Sequence, residues 1–549
     1  MASNPSFAQI RRKYQPKIPA CFEQIETCTM VASKESGGFS LAKGIDASFV
    51  HSKNLPLFVA GTTSARDKKK KVVIGVVFSG GQASGGHNVV AGIFDALKKC
   101  HPDSKLLGFL KGPKGILTNS YQDLDEKIVQ MYRNQGGFDM IGSGRDKIET
   151  EQDLEKAKIA CEANALDGLV IIGGDDSNTN AALLAEYFLA KGVKTAVVGV
   201  PKTIDGDLQN AYVQISFGFD TATKVYSNLI SNIQKDAKSS CKYTHFIKLM
   251  GRSASHVALE CALQTHPTFT LISEDVADKK QTLSSIIHKM CDILQARQKK
   301  DKPYAVFLLP EGIIEFIPQM RALIDEINQW CSTRENQEQE QDDLVHLIQQ
   351  QLSEKTLEAW HLLPPDLKAQ LLLDRDPHGN VQVSHIQTEK LFSFAIAKEL
   401  KKREKQGLGK TSFSPVYHFF GYEGRSTFPS NFDANYCYSL GFVAWLLIQA
   451  GATGRMCALQ NLHLKPSKWE PVGIPITRLM AFEKRKGKMK PVITKALVDL
   501  QSSAFNHFRK NAAAWEEIDD DQSIGPIQFE GPEFITDSIP LIVQLGVKK

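Results

Sequence analysis

Four groups of residues in this chain combine side chains that can do chemistry together. Ser79-Gly-Gly-Gln-Ala-Ser-Gly-Gly-His87 follows an apolar run, and its glycines let backbone amides approach an anion near a helix start. Gly173-Gly174-Asp175-Asp176-Ser177 sets two adjacent carboxylates after another apolar run. That pairing is costly without a cation, and hard oxygen ligands suit Mg²⁺. Pro201-Lys202-Thr203-Ile204-Asp205-Gly206-Asp207 brings a potential base, a second carboxylate and a lysine into one loop. The fourth group is Met250-Gly251-Arg252, Pro310-Glu311-Gly312 and Tyr422-Glu423-Gly424-Arg425. Arginine forks match phosphate oxygens, and Glu311 can accept from sugar hydroxyls. Each group also has a plainer reading. The first serves equally as a tight turn, and one aspartate of the second as a helix N-cap, with Ser177 or Asn178 as alternative caps. The third reads as an Asp/Gly turn, and the members of the fourth as ordinary charges at strand ends.

These loops need elements to position them. Val72 to Phe78 is a β-branched run of the kind buried on both faces of a parallel sheet. The alternation continues with helix Asn88 to Lys99, strand Leu106 to Leu110, helix Leu154 to Ala163, strand Gly168 to Ile172, helix Asn180 to Lys191 and strand Thr195 to Val200. A second set predicts strands at Thr244 to Met250, Phe269 to Ile272 and Tyr304 to Leu309, with helices His256 to His266 and Thr282 to Gln298 between them. Strands separated by helix-length segments imply βαβ units in two doubly wound α/β domains sharing a cleft. In such sheets ligands sit beyond the carboxyl ends of the strands, where all four groups fall. Between about Glu335 and Gly407 the composition turns to Glu, Gln and Lys with leucines at helical spacing, which reads as a helical insertion solvated on the surface.

The 549 residues, 42% hydrophobic and 23% charged, suffice for more than one core. Lys+Arg 66 against Asp+Glu 61 leaves +5, so nothing global favours a nucleic acid or another polyanionic partner and any anion site must be local. The ten cysteines form no C-x-x-C pair and read as reduced, packed thiols of a cytoplasmic protein. No apolar run reaches the roughly 20 residues that span a bilayer, and the N-terminus lacks the apolar core of a secretory signal, so no membrane partner is expected.

In this order and spacing the loops resemble the phosphofructokinase family, and its long, pyrophosphate-dependent branch in particular. The resemblance runs from about Lys71 to Gln528 and is carried by SGGQASGGHN (79–88), GSGRDKIET (142–150), GGDDS (173–177), PKTIDGDL (201–208), MGR (250–252), PEG (310–312) and GYEGR (421–425). It implies two Rossmann-like domains, with boundaries expected as an N-terminal extension (1–66), a diphosphate and Mg²⁺ domain (67–240), a sugar-phosphate domain (241–334 and 408–475), a helical insertion (335–407) and a C-terminal segment (476–549). It also implies Mg²⁺-assisted phosphoryl transfer between pyrophosphate and O1 of fructose 6-phosphate.

By the same resemblance Asp205 is the general base and Asp207 its support. Asp175 is the Mg²⁺ ligand, Lys202 stabilises the transferring group, and Gly81 and Arg145 meet the diphosphate. Thr203, Ile204, Asp205, Met250, Gly251, Arg252, Glu311, Tyr422, Glu423, Gly424 and Arg425 contact the sugar phosphate. Lys242 and Tyr243 reach into a neighbouring subunit's site, which implies a homodimer. Where ATP-dependent relatives carry glycine, Asp176 adds bulk and negative charge at the place of the nucleotide's α-phosphate. Ser84 stands where the family pattern has proline, so the first loop is expected to be less stiff. Two other readings compete: a catalytically silent regulatory subunit of the same fold, and a nucleotide-using kinase sharing only the GGD loop.

Overall fold

The computed structural model describes the chain except for residues 1–6, 34–40, 64–69, 333–340, 375–380, 382–384, 486–487, 524–532, 538 and 547–549. Its strands in chain order are β1 (Cys28–Ala32), β2 (Phe58–Thr62), β3 (Val73–Ser79), β4 (Lys105–Phe109), β5 (Tyr121–Asp123), β6 (Ser143–Gly144), β7 (Gly168–Gly173) and β8 (Ala196–Pro201). Then come β9 (Thr244–Leu249), β10 (Phe269–Thr270), β11 (Ala305–Pro310), β12 (Pro415–Phe420), β13 (Arg455–Gln460), β14 (Glu470–Pro475), and a hairpin of β15 (Met480–Arg485) and β16 (Lys488–Ile493). The large sheet has the order β1-β2-β14-β13-β8-β7-β3-β4-β5, with β6 against the end of β3. The second sheet, β10-β11-β9-β12, is wholly parallel.

The β-branched runs explain the central strands: β7, β8 and β11 are buried along their whole length, as strands covered by helices on both faces must be. From β3 the chain crosses to β4 on one side and later to β7 on the other. The loops after β3 and β7 therefore diverge and open a crevice at a topological switch point.

One core joins both sheets. Ile74, Val76 and Val170 of the first and Ile247, Leu249 and Leu308 of the second belong to a continuous apolar cluster around helices Gly86–Cys100, Phe219–Ser240 and Asn431–Gln449. Two of these helices touch at glycines. A Cβ on Gly92 would lie 2.1 Å from the Tyr438 carbonyl oxygen, and one on Gly441 would lie 2.3 Å from that of Val89. Among the described residues no helix is long and apolar enough to cross a membrane.

Three expectations need correction. The helix after β7 begins at Asp175, not Asn180. Two acidic residues suit the positive end of the helix dipole, and Gly174 occupies the N-cap without a side-chain bond. Residues 455–475, expected with the second unit, return to the first sheet, where β13 pairs with β8 and β14. An apolar strand parallel to β8 supplies the ladder that β8 lacks on that side. The insertion is not merely solvated: Trp360, Leu371, Leu391 and Phe392 are buried in one cluster with Phe307 and Leu309 of β11. Leucines at helical spacing form a stripe that water would expose, and burying one large apolar side chain contributes about 1.5–3 kcal/mol. The insertion's residues 335–340, 375–380 and 382–384 lie outside the described residues. The N-terminal extension packs onto the body: β2 pairs with β14, and buried Arg11 donates to Asn431 Oδ1 at 2.9 Å and the Pro429 carbonyl at 2.8 Å.

Candidate active site

A cleft of about 360 Å³ lies at the switch point. Its walls are the loop after β3 (Ser79 to Gln82), Arg145 to Lys147, Gly174 to Ser177 with Asn180, Lys202 to Asp205, and Arg425. The loop after β3 is shaped by need. Gly80 takes φ +87°, and its N–H donates to the Gly144 carbonyl at 2.8 Å. A Cβ on Gly80 would stand 3.4 Å from Lys202 Nζ, and one on Gly81 would stand 2.6 Å from Arg425 Nη1 and 3.8 Å from Arg145 Nη2. Three cations therefore converge on a backbone without side chains, which is a cradle for an anion. Ser84 compensates for the missing proline: its buried hydroxyl donates to the Thr427 carbonyl at 2.6 Å and pins the loop.

The opposite wall is acidic. Asp175 and Asp176 open the helix after β7, and burial raises the Asp175 pKa above its ordinary value. Asp205 is deeper still. Burial first and the neighbouring Asp207 second push it up to about 7, against the pull of Arg425. Thr203 Oγ1 accepts from the Asp205 N–H at 3.1 Å and holds the turn, with Gly206 at φ +74°. Lys202, almost fully buried, is pushed down to about 8 by burial and then by Arg425. Arg425 is loosely held: Nη2 faces Met250 Sδ at 3.3 Å, Nη1 reaches the Gln82 carbonyl at 3.5 Å, and buried Nε has no hydrogen-bond partner. A buried donor without a partner calls for a water, an ion or a ligand to complete it.

Nine expected site residues line this cleft: Gly81, Arg145, Asp175, Asp176, Lys202, Thr203, Ile204, Asp205 and Arg425. Met250 joins it through Arg425. Glu311 follows β11, with its pKa raised by burial and opposed by Lys248, Gly251 and Arg252. Gly251, at φ +122°, makes the turn that brings the Arg252 carbonyl against Gly312. The Arg252 side chain points elsewhere, Nε lying 3.8 Å from Glu315 Oε2, beside a second depression of about 490 Å³. Tyr422 is 76% exposed, Glu423 accepts from the Gly421 N–H at 2.8 Å, and Gly424 packs against Tyr226. Lys242 and Tyr243 precede β9, at the opposite end of the strand from Met250. Six residues at roughly 3.3 Å each keep them about 20 Å from this cleft.

Lys495 was not foreseen. It lies 3.3 Å from Asp207 Oδ2 and 3.7 Å from Asp175 Oδ2, and donates to Ser253 Oγ at 3.0 Å. Its surroundings, Ile493-Thr-Lys-Ala-Leu497, carry no glycine, turn or paired charge that would have marked it.

The family model described as phosphofructokinase matches residues 73–362, more than half of the chain. The chain belongs to the phosphofructokinase family. Within it, this phosphofructokinase-type chain is 46% identical to the pyrophosphate–fructose 6-phosphate 1-phosphotransferase of Entamoeba histolytica over 96% of both chains. It is 45% identical to the protein of the same name from Treponema pallidum, over 98% of this chain and 96% of that one. The solved pyrophosphate-dependent phosphofructokinase of Nitrosospira multiformis shares the fold, with TM-score 0.53 and 15% identity over 87% of this chain and 97% of that one.

Proposed function

We propose that the protein catalyses reversible phosphoryl transfer from pyrophosphate to O1 of fructose 6-phosphate, giving fructose 1,6-bisphosphate and phosphate, in the cytoplasm. The observation that carries this reading is the cradle of Lys202, Arg145 and Arg425 around Gly80 and Gly81, facing Asp175, Asp176 and Asp205 across one cleft. The names of the two near full-length relatives support the same substrates.

In this reading the diphosphate lies on the glycine backbone between the three cations. Lys202 and Arg425 meet charge on the transferring phosphoryl oxygens, and electrostatic stabilisation of that kind is where most catalysis of such transfers resides. Asp205 takes the proton of the 1-hydroxyl as O1 attacks phosphorus. A carboxylate with its pKa near 7 is well matched to that task at neutral pH. Burial first and Asp207 second keep that pKa high, and Thr203 fixes the turn. Met250, Glu311 and the Tyr422 to Arg425 turn hold the sugar phosphate, while Arg252 joins them by turning from Glu315.

The acidic wall fits Mg²⁺. Among the described residues no group of three or more His, Cys, Asp or Glu could hold a metal by itself. A single deep carboxylate with acidic neighbours suits an ion that keeps its waters and takes substrate oxygens. Asp175 would hold it, and when bound it would neutralise diphosphate charge.

Asp176 is exposed on the cleft wall and sets the donor. Asp176→Gly is expected to lower pyrophosphate turnover by about 10²-fold and to allow measurable ATP turnover. Steady-state assays with each donor check this, and a variant that behaves like the parent with both refutes the exclusion by charge and bulk.

A further inference from the structure

The C-terminal segment after the β15–β16 hairpin runs as a strap across the cleft's two halves. The Ala496 N–H donates to the Asp207 carbonyl at 2.7 Å, the His256 Nε2 donates to the Ala496 carbonyl at 3.0 Å, and the Val498 N–H donates to Glu274 Oε1 at 2.9 Å. Lys495, directly before these anchors, turns toward the loops. Its three partners come from three loops: Asp175 after β7, Asp207 after β8, and Ser253, which directly follows Met250-Gly251-Arg252 after β9. Neither Lys495 nor Asp207 lines the cleft, so the ammonium reaches Asp175 from outside the substrate space.

We propose that Lys495 is a positioning residue, which locks the diphosphate-side carboxylates Asp175 and Asp207 to the sugar-side loop at Ser253 and opposes a divalent cation at Asp175. The inference rests on the phosphotransferase reading above. Two carboxylates drawn to one cation from separate loops cannot drift apart, and Asp205, placed two residues before Asp207, inherits that placement. The cation also carries an electrostatic cost. An ammonium 3.7 Å from Asp175 Oδ2 repels a dication seeking the same carboxylate, so its removal favours metal binding while loosening the site.

The test compares the full-length parent with Lys495→Met, Lys495→Gln and Lys495→Arg. Mn²⁺ binding to the substrate-free protein is followed by electron paramagnetic resonance, and turnover is measured with pyrophosphate, fructose 6-phosphate and Mg²⁺. Both neutral variants are expected to bind Mn²⁺ about tenfold more tightly than the parent. Their kcat is expected to fall about 10²-fold, as for a misplaced catalytic group. Lys495→Arg should keep the parent's Mn²⁺ affinity and recover a substantial part of the turnover. A lysine that served folding alone would weaken Mn²⁺ binding on removal or leave it alone. Either of those results in the neutral variants, or parent-level turnover in them, overturns the proposal. The glutamine, which keeps a polar end on the strap but loses the charge, decides the matter if the methionine variant does not fold. A parent protein without turnover sinks the phosphotransferase reading, while the Mn²⁺ comparison, made without substrate, still judges Lys495.

Discussion

In the proposed reaction Asp205 and Lys202 set opposite limits on the pH at which the cleft can work. The base must have lost its proton, which burial and Asp207 delay to about 7, and the lysine must have kept its own, which burial allows only to about 8. The free enzyme's kcat/KM should therefore rise through about pH 7 and fall above about pH 8. The same shift has a cost in stability. The folded state holds the Asp205 proton to a higher pH than the unfolded chain does, so stability present below the ordinary carboxylate pKa is lost as pH rises through about 7. Asp205→Asn is thus expected to raise Tm at pH 8 more than at pH 5, while lowering turnover about 10²- to 10⁴-fold. Calorimetry at both pH values and a rate assay check the pair. Most of these residues were legible in the sequence because the glycine, aspartate and lysine loops at the ends of apolar runs, each open to a plainer reading alone, together resemble one family's motifs. Lys495 was not legible, since its partners Asp175 and Asp207 lie roughly 300 residues away and only the folded strap brings it to them.

At the scale of elements, the first loop works because it lacks side chains. Gly81→Ala puts a methyl group 2.6 Å from the end of a flexible arginine, so the protein should fold while Arg425 is pushed from the diphosphate. The KM for pyrophosphate is expected to rise about tenfold, with Tm close to the parent's, because the loss falls on a charge-assisted contact. Initial rates at varied pyrophosphate check it. Of the strands in the two sheets, β3, β4, β7, β8, β9, β10 and β11 were legible as apolar runs, with ends shifted by only a residue or two, whereas β1, β2, β5, β6 and β12 to β14 were not read as strands. The insertion's burial was not, because a polar helix with one leucine stripe looks the same whether that stripe meets solvent or a sheet. The return of β13 and β14 to the first sheet was equally hidden, since pairing with β8 spans some 250 residues.

At the scale of the whole molecule, Lys242 and Tyr243 sit at the far end of β9 from their own cleft. The family resemblance implies a homodimer in which they complete the partner subunit's site instead. Asp205→Asn and Tyr243→Ala would then each be impaired alone, but a subunit mixture would form heterodimers with one intact site. Random pairing predicts recovery to about a quarter of the parent's turnover. Mixed and unmixed samples assayed side by side check this, and a mixture no more active than the mean of its parts would show that Tyr243 does not act across an interface.

The central claim is donor and acceptor together. The purified protein is supplied with fructose 6-phosphate, Mg²⁺ and either pyrophosphate or ATP, and fructose 1,6-bisphosphate is measured. The cationic cradle and Asp176 predict rapid formation with pyrophosphate and little with ATP. Turnover with ATP and none with pyrophosphate would contradict the account.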